Sequence, residues 1–245
     1  MVSGKYSALS GAVAREQAMG NLASNLANVN TTGFKRDRIS FASILRGTKQ
    51  TTEARGINYS RINKIGTDFN QGGMQPTGRP LDVAIDGPGF FKVQKNNQIL
   101  YTRVGHLMLD ANGLVKTEDG LNVLGSGDAP ITIDTSAGKD IVIAESGEIS
   151  VNGVLADVKI QVFAINDQDK LTKAGQSTYK LEAGAADQPL ENYRVLQGNL
   201  EGSNVNMMEE MATMIATQRS FEAHNKVIES YSKLGERLDE LGSIG

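Results

Sequence analysis

The apolar positions along the chain change period twice. Near the start, Leu9, Ala12, Glu16, Met19, Ala23 and Leu26 recur at alternating steps of three and four, with Leu22, Leu26 and Val29 forming a stripe beside them. This helical period predicts one long helix over residues 1–34, carrying a heptad-like seam spoiled only by Glu16 and by small residues. Asn30-Thr31-Thr32-Gly33 is its stop signal, because glycine enters a left-handed conformation at little cost. Near the other end Met207, Met211, Met214, Gln218, Phe221, Asn225 and Ile228 keep strict four-three spacing, and Tyr231, Leu234, Leu238 and Leu241 continue one face. A helix over 205–241 extends about 55 Å, with Ser203 as its expected N-cap.

Between the helices the period drops to two. Leu81-Asp82-Val83-Ala84-Ile85 alternates, Gly87-Pro88-Gly89 turns it into Phe90-Phe91-Lys92-Val93, and Asn96-Asn97 separates that strand from 99–104. Further strands are expected at 131–133, 141–143, 148–151 and 154–165, with Asn152-Gly153 a strong hairpin signal. Short strands at this spacing predict a central all-β domain over 79–204. Residues 36–78 are polar and end in Gln71-Gly72-Gly73-Met74-Gln75-Pro76-Thr77-Gly78, which reads as an extended connector. The fold class is therefore mainly β with α-helical termini. The two helices, 1–35 and 205–245, either pair with each other as a coiled-coil-like inner domain or pair with other molecules.

Composition narrows the chemistry. The 245 residues carry 25 Lys+Arg against 28 Asp+Glu, a net charge of −3, and the acidic balance argues against a nucleic-acid binder. Cysteine is absent, which excludes disulfides, thiolate metal sites and cysteine nucleophiles. No apolar run is long enough for a transmembrane helix. Met1-Val2-Ser3-Gly4-Lys5-Tyr6 has no basic region followed by an apolar one, so no cleaved signal peptide is expected.

One stretch stands apart. From Gln17 to Phe34 there are 18 consecutive residues without a charge, and Asn21, Asn25 and Asn28 share a helical face. Such a face is either an ordinary polar surface that lacks charge or one buried against other helices, where amides bond without the desolvation cost of ions. Charge supports association of the ends. Residues 1–40 hold five cations and two acids, net +3, whereas 205–245 hold four cations and seven acids, net −3. The attraction is modest and screened by salt.

Ser24-Asn25-Leu26-Ala27-Asn28-Val29-Asn30-Thr31-Thr32-Gly33-Phe34-Lys35 resembles the N-terminal signature of the bacterial flagellar rod and hook proteins. Leu200-Glu201-Gly202-Ser203-Asn204-Val205-Asn206, followed by Met211 and Ile215-Ala216-Thr217-Gln218-Arg219-Ser220-Phe221-Glu222, is similar to their C-terminal signature. Arg79-Pro80-Leu81-Asp82-Val83-Ala84-Ile85-Asp86-Gly87-Pro88-Gly89-Phe90-Phe91 and Tyr101-Thr102-Arg103-Val104-Gly105 resemble the family's central domain. Length and a single β-domain look most like the proximal-rod members, with the distal-rod members next.

The resemblance implies a structural, non-enzymatic axial subunit without cofactors. Its terminal helices pack into an inner tube and its β-domain lies outside. It also implies copies of the chain and other rod proteins as partners, and export by the flagellar type III apparatus into the periplasmic rod. No nucleic acid and no small-molecule substrate are expected. The assembly residues are then Leu22, Asn25, Leu26, Asn28, Val29, Met211, Met214, Phe221 and Ile228. The family-motif positions are Gly33, Phe34, Arg79, Asp82, Gly87, Gly89, Phe90, Arg103, Ser203 and Asn204. The seam is richer in methionine than the family leads one to expect.

Enzymatic signatures are missing. Gly87-Pro88-Gly89 runs into Phe90-Phe91 without the third glycine of a dinucleotide fingerprint, and no phosphate-binding loop motif is present. Asn166-Asp167-Gln168-Asp169 lacks the glycine and twelfth-position acid of a calcium loop. His106 and His224 read as structural. Arg79 and Arg103 are either solvated or locked to a carboxylate such as Asp82. A rival function, a wall-directed carbohydrate-binding module or hydrolase, needs a carboxylate cleft or an aromatic platform, and the sequence offers neither.

Overall fold

The computed structural model describes residues 2–46, 57–134, 138 and 140–242. It is mostly β-strand, with one helix near each end of the chain. Helix α1 spans Val2–Ala27, followed by β1 (Asp37–Arg46), β2 (Ile57–Thr67), β3 (Met74–Pro76), β4 (Val83–Asp86), β5 (Phe90–Lys95) and β6 (Gln98–Thr102). Then come β7 (Leu107–Leu109), β8 (Val115–Thr117), β9 (Asn122–Leu124), β10 (Ile141–Ile143), β11 (Glu148–Val151) and β12 (Val154–Lys159). The series ends with β13 (Val162–Ile165), β14 (Leu171–Lys173), β15 (Thr178–Leu181), β16 (Asp187–Pro189), β17 (Arg194–Gln197), β18 (Asn199–Glu201) and α2 (Met207–Gly242). Two compact units result: residues 1–27, 37–68 and 205–245, and residues 28–36 with 69–204.

In the first unit α1 lies along α2. A Cβ built on Gly4 would meet the Tyr231 hydroxyl at 2.4 Å, and one on Gly11 would meet the His224 ring at 2.6 Å. Asn25 Nδ2 donates to Glu210 Oε2 at 3.2 Å. Gly4, Gly11 and Asn25 thus face Tyr231, His224 and Glu210 in an antiparallel register that advances by multiples of seven on both helices. The same register sets buried Ala18 opposite buried Thr217. Glycine weakens a helix by about 1 kcal/mol per residue relative to alanine. Here it is kept where a bulky ring from α2 fills the space.

The seam therefore runs differently from the sequence expectation. On α1 the buried side chains are Ala8, Ala12, Ala14, Ala18 and Asn25, while Leu9, Glu16 and Ala23 are exposed. On α2 Glu210, Met214, Thr217, Phe221, His224, Ile228 and Tyr231 are buried or half-buried at four-three spacing, whereas Met207, Met211 and Gln218 are exposed. Packing here selects by size, so small residues win places that a hydrophobicity count assigns to leucine and methionine. Helix α1 also stops at Ala27, seven residues before the expected end. The following Asn-Val-Asn-Thr-Thr is rich in poor helix formers, and Phe34 N–H donates to Thr31 O at 3.3 Å within the turn. Asn28 and Val29 consequently belong to the second unit. Helix α2 is capped by Asn206, whose Oδ1 accepts from Met208 N–H at 3.1 Å, rather than by Ser203. Glu209 and Glu210 add favourable charge in its first turn.

The segment read as an extended connector divides between the units. Strands β1 and β2 pair as an antiparallel hairpin in the first unit, with Ile39 opposite Ile65. Residues 69–78 fall in the second, and 47–56 lie outside the described residues. An isolated two-stranded ribbon is marginal in water; this one rests on α1, where the Arg15 guanidinium sits 4.7 Å above the Phe41 ring.

The second unit is built on a sheet ordered β14-β15-β6-β5-β9-β8-β7, with β13 pairing both β5 and β16. Alternation along β5 sends Phe91 and Phe90 to opposite faces. Phe91 joins an aliphatic core with Val83, Ile85, Val93, Val123 and Val162. Phe90 joins a second core with Tyr101, Phe163 and Tyr179. Asn96 and Asn97 both have positive φ, as do Asn152 and Gly153, so the two hairpins close through the tight turns their sequences announce. Residues 131–133 form a bridge from Thr132 to Leu114 rather than a strand, and the expected strand over 154–165 breaks at residues 160–161.

Candidate functional site

Two arrangements of side chains stand out, one in each unit. In the second unit the motif residues converge on a buried clamp. Gly33, at φ 67°, donates its N–H to Glu201 O at 2.8 Å. A Cβ there would lie 2.7 Å from the Arg103 and Val104 backbone, so only glycine fits. The next residues, Phe34 and Lys35, are fully buried. Lys35 Nζ donates to Glu201 Oε1 at 2.6 Å and to Asn70 O at 2.7 Å.

The other oxygen of Glu201 accepts from Arg103 NH1 at 3.0 Å, and Gly72 N–H donates to Oε1 at 2.9 Å. Arg103 NH2 reaches Gly87 O at 2.8 Å, and its guanidinium lies 5.4 Å from the Phe90 ring centre. Two buried cations thus share one buried carboxylate, and backbone carbonyls take further protons. Burial lowers the Arg103 pKa from its ordinary value, and the Glu201 charge opposes that shift.

The clamp ties residues 33–36 to 201–204. Asn204 completes it: its Oδ1 accepts from Arg36 N–H at 2.8 Å and its Nδ2 donates to Asn70 O at 3.0 Å. Lys173 Nζ closes the outside, 4.5 Å above the Phe34 ring. Gly89, at φ 122°, has no room for a Cβ beside Val162. Ser203 is half-buried next to Asn204.

Arg103 therefore pairs with Glu201 and not with Asp82. Asp82 is buried against His106, with Nδ1 2.7 Å from Oδ1, and the mostly exposed Arg79 comes only to 3.9 Å from it. Arg79 NH1 lies 3.2 Å from His106 Nε2. Glu201 and Lys35 are the centre of the clamp, and the sequence reading does not single them out. Their signal is nonetheless there, since each is the lone charge in an otherwise uncharged run of the motif. A third buried cation, Lys92, bridges Asp128 at 2.7 Å and Asp187. Burial lowers its pKa, but hydrogen bonds and charge from Asp128 and Asp187 outweigh that and raise it overall. Burial acts in the opposite direction on the Tyr101 hydroxyl and pushes it well above its usual range.

In the first unit Asn25 is fully used inside the chain. Its Nδ2 donates to Asp37 O and its Oδ1 accepts from Asp37 N–H, both at 3.0 Å, so the amide mimics a neighbouring strand at the start of β1. Leu22 and Leu26 are half-buried, as are Met214, Phe221 and Ile228, while Met211 is exposed.

A different set of α1 residues remains open. Tyr6, Leu9, Val13, Glu16, Gly20, Ala23 and Ala27 keep three-four spacing and all are exposed, with Tyr6 at 56%, Leu9 at 47% and Val13 at 44%. Helix α1 thus carries two seams, one closed on α2 and one left open among the described residues. On α2, Met208, Met211 and Ile215 make a shorter exposed apolar stripe.

Three family models match the chain: "Flagella basal body rod protein" over residues 6–35, "Flagellar hook protein FlgE/F/G D1 domain" over 84–151, and "Flagellar basal body rod FlgEFG protein C-terminal" over 196–241. The flagellar basal-body rod protein FlgG of Bacillus subtilis (strain 168) is 31% identical over 98% of this chain and 99% of its own length. FlgF of Caulobacter vibrioides is 32% identical over 98% of each. FlgG of Borreliella burgdorferi is 32% identical over 94% of this chain and 95% of its own. Similarity at this level runs from the α1 seam through the clamp to α2, and the chain belongs to the family of flagellar basal-body rod proteins that includes FlgF and FlgG.

Proposed function

We propose that the chain is a structural, non-enzymatic subunit of the bacterial flagellar rod that polymerises through its terminal helices into the torque-transmitting shaft. The observation that carries this reading is the second seam of α1. Each half-exposed apolar side chain in it gains about 1 kcal/mol when a neighbour covers it. Gly20 lies in that seam with nothing near its Cβ position, so no contact among the described residues accounts for its cost to the helix. A side chain from an adjacent copy fills such a socket. In the polymer the helices act as a coiled-coil-like inner domain, and Leu22, Leu26, Met211, Met214, Phe221 and Ile228 line or flank their contacts. Repetition of one heterologous contact gives an open helical array rather than a closed ring.

The partners are copies of the chain and other rod proteins. The place is the rod within the periplasm, reached through the flagellar export apparatus. A proximal position is favoured by length. The alignment with the Caulobacter FlgF runs over 246 positions and that with the Bacillus FlgG over 265, against a chain of 245 residues. Deleting the gene is expected to abolish swimming and to stop basal bodies short of the hook, and intact basal bodies are expected to contain the chain by mass spectrometry. Normal swimming with complete rods in the deletion strain contradicts the reading.

A further inference from the structure

The last stretch of the second unit, residues 194–204, is bonded to parts of the chain made long before it. Strand β4 pairs with β17 in one two-stranded sheet, and β3 pairs with β18 in another. Leu196 stands opposite Ala84, and Leu200 opposite Gln75. Between these pairs Gly198 N–H donates to Asp82 O at 2.7 Å, and Gly198 O accepts from Thr77 N–H at 2.8 Å. The same stretch reaches the middle of the unit. Gln197 Nε2 donates to Ile141 O at 2.9 Å and its Oε1 accepts from Ile143 N–H at 3.2 Å. Val195 is fully buried in the aliphatic core. Glu201 supplies the carboxylate shared by Arg103 and by Lys35, 166 positions earlier.

Contacts of this span return nothing until the long loop between them is closed. A chain that ends before residue 194 can form local hairpins such as β5 with β6, but an isolated hairpin is marginal in water. Such a chain lacks the ladders that β17 and β18 give to β4 and β3, and it leaves a hole where Val195 packs. It also strands two cations that are at most 3% exposed in the folded unit. Each of these defects takes a large share of a domain's small stability margin.

We infer that residues 194–204 are a closing latch: the second unit has no stable folded form until they are in place. A chain that emerges N-terminus first stays open through residue 193, and the unit closes as a whole once residue 204 has followed. The value of this delay for an exported subunit rests on the rod-subunit reading. There, the β-rich unit stays unfolded while the chain is delivered and closes only near the end of delivery.

Native-state hydrogen exchange on the full chain tests the latch. If opening the latch opens the unit, amides hydrogen-bonded in β17 and β18 are protected to within about tenfold of those in β5 and β6. Val195→Ala is expected to speed exchange about tenfold or more, the effect of a small core cavity. The acceleration is expected to be as large in β5 and β6 as in β17. Exchange in β17 and β18 more than about tenfold faster than in β5 and β6 overturns the inference, because the sheet then stays folded with the latch undone. A Val195→Ala effect confined to residues 194–204 overturns it as well. Either result leaves the rod-subunit reading standing, since that reading fails on swimming and complete rods in the deletion strain.

Discussion

Replacing Glu201 by alanine is expected to destabilise the β-rich unit by about 3–5 kcal/mol, the usual cost of stranding buried charge. The carboxylate pairs with both Lys35 and Arg103, at 2.6 and 3.0 Å, and all three side chains are almost completely buried. Without it, two cations in a low-dielectric interior lose this shared anion and the Gly72 N–H loses its acceptor. A loss of this size is a large fraction of the stability of a typical domain, about 5–15 kcal/mol. Urea unfolding followed by far-UV circular dichroism measures it, the absence of tryptophan ruling out the usual fluorescence probe. Combining Glu201→Leu with Lys35→Met and Arg103→Met separates pairing from packing. Because it leaves none of the three charges behind, the triple variant is expected to recover most of the loss. A Glu201→Ala chain within about 1 kcal/mol of wild type, the scale of an exposed pair, contradicts the clamp.

The double variant Leu9→Asp/Val13→Asp is expected to abolish swimming while the chain still folds. Both side chains are about half exposed and point away from the α2 contact, so the aspartates remain hydrated in the free subunit. In the polymer each copy would bury two unpaired carboxylates, and the penalty, several kcal/mol per ion after relaxation, recurs at every contact along the shaft. Soft-agar swimming and sedimentation report assembly, and circular dichroism reports the fold. Gly11→Val is the informative contrast. Its Cβ collides with the His224 ring inside the chain, so it is expected to lower helix content in the monomer as well. A swimming double variant refutes the role of the outer seam.

What the sequence discloses depends on how local the determinant is. Strands β5, β6, β11 and β12 are legible because alternation and the pairs Asn96-Asn97 and Asn152-Gly153 sit within a few residues of each other. Both helices are legible as elements because their periods are long. Their inner faces are not. Gly4 and Gly11 look like interruptions until Tyr231 and His224 are placed against them, and Leu9 looks like core until it is found outside. Arg103 is recognisable as a residue that locks a carboxylate, but nearby Asp82 is the expected partner. Glu201, 98 positions away, takes the role because β18 brings it back beside the turn at Gly33. The hairpin of β1 and β2 reads as connector although β1 carries Ile39, Phe41, Ile44 and Leu45 and β2 carries Ile57, Ile62 and Ile65, because the many Ser, Asn, Lys and Arg residues among them mask the signal.

The most direct test of the account uses the absence of cysteine from the chain. A single Val13→Cys substitution places one thiol in the outer seam of α1, at a position 44% exposed in the subunit. The account predicts rapid modification by a maleimide in the purified subunit and protection in isolated basal bodies, where the neighbouring copy covers the seam. Equal labelling of the introduced thiol in the two states would place the seam outside the subunit contacts and contradict assembly through α1.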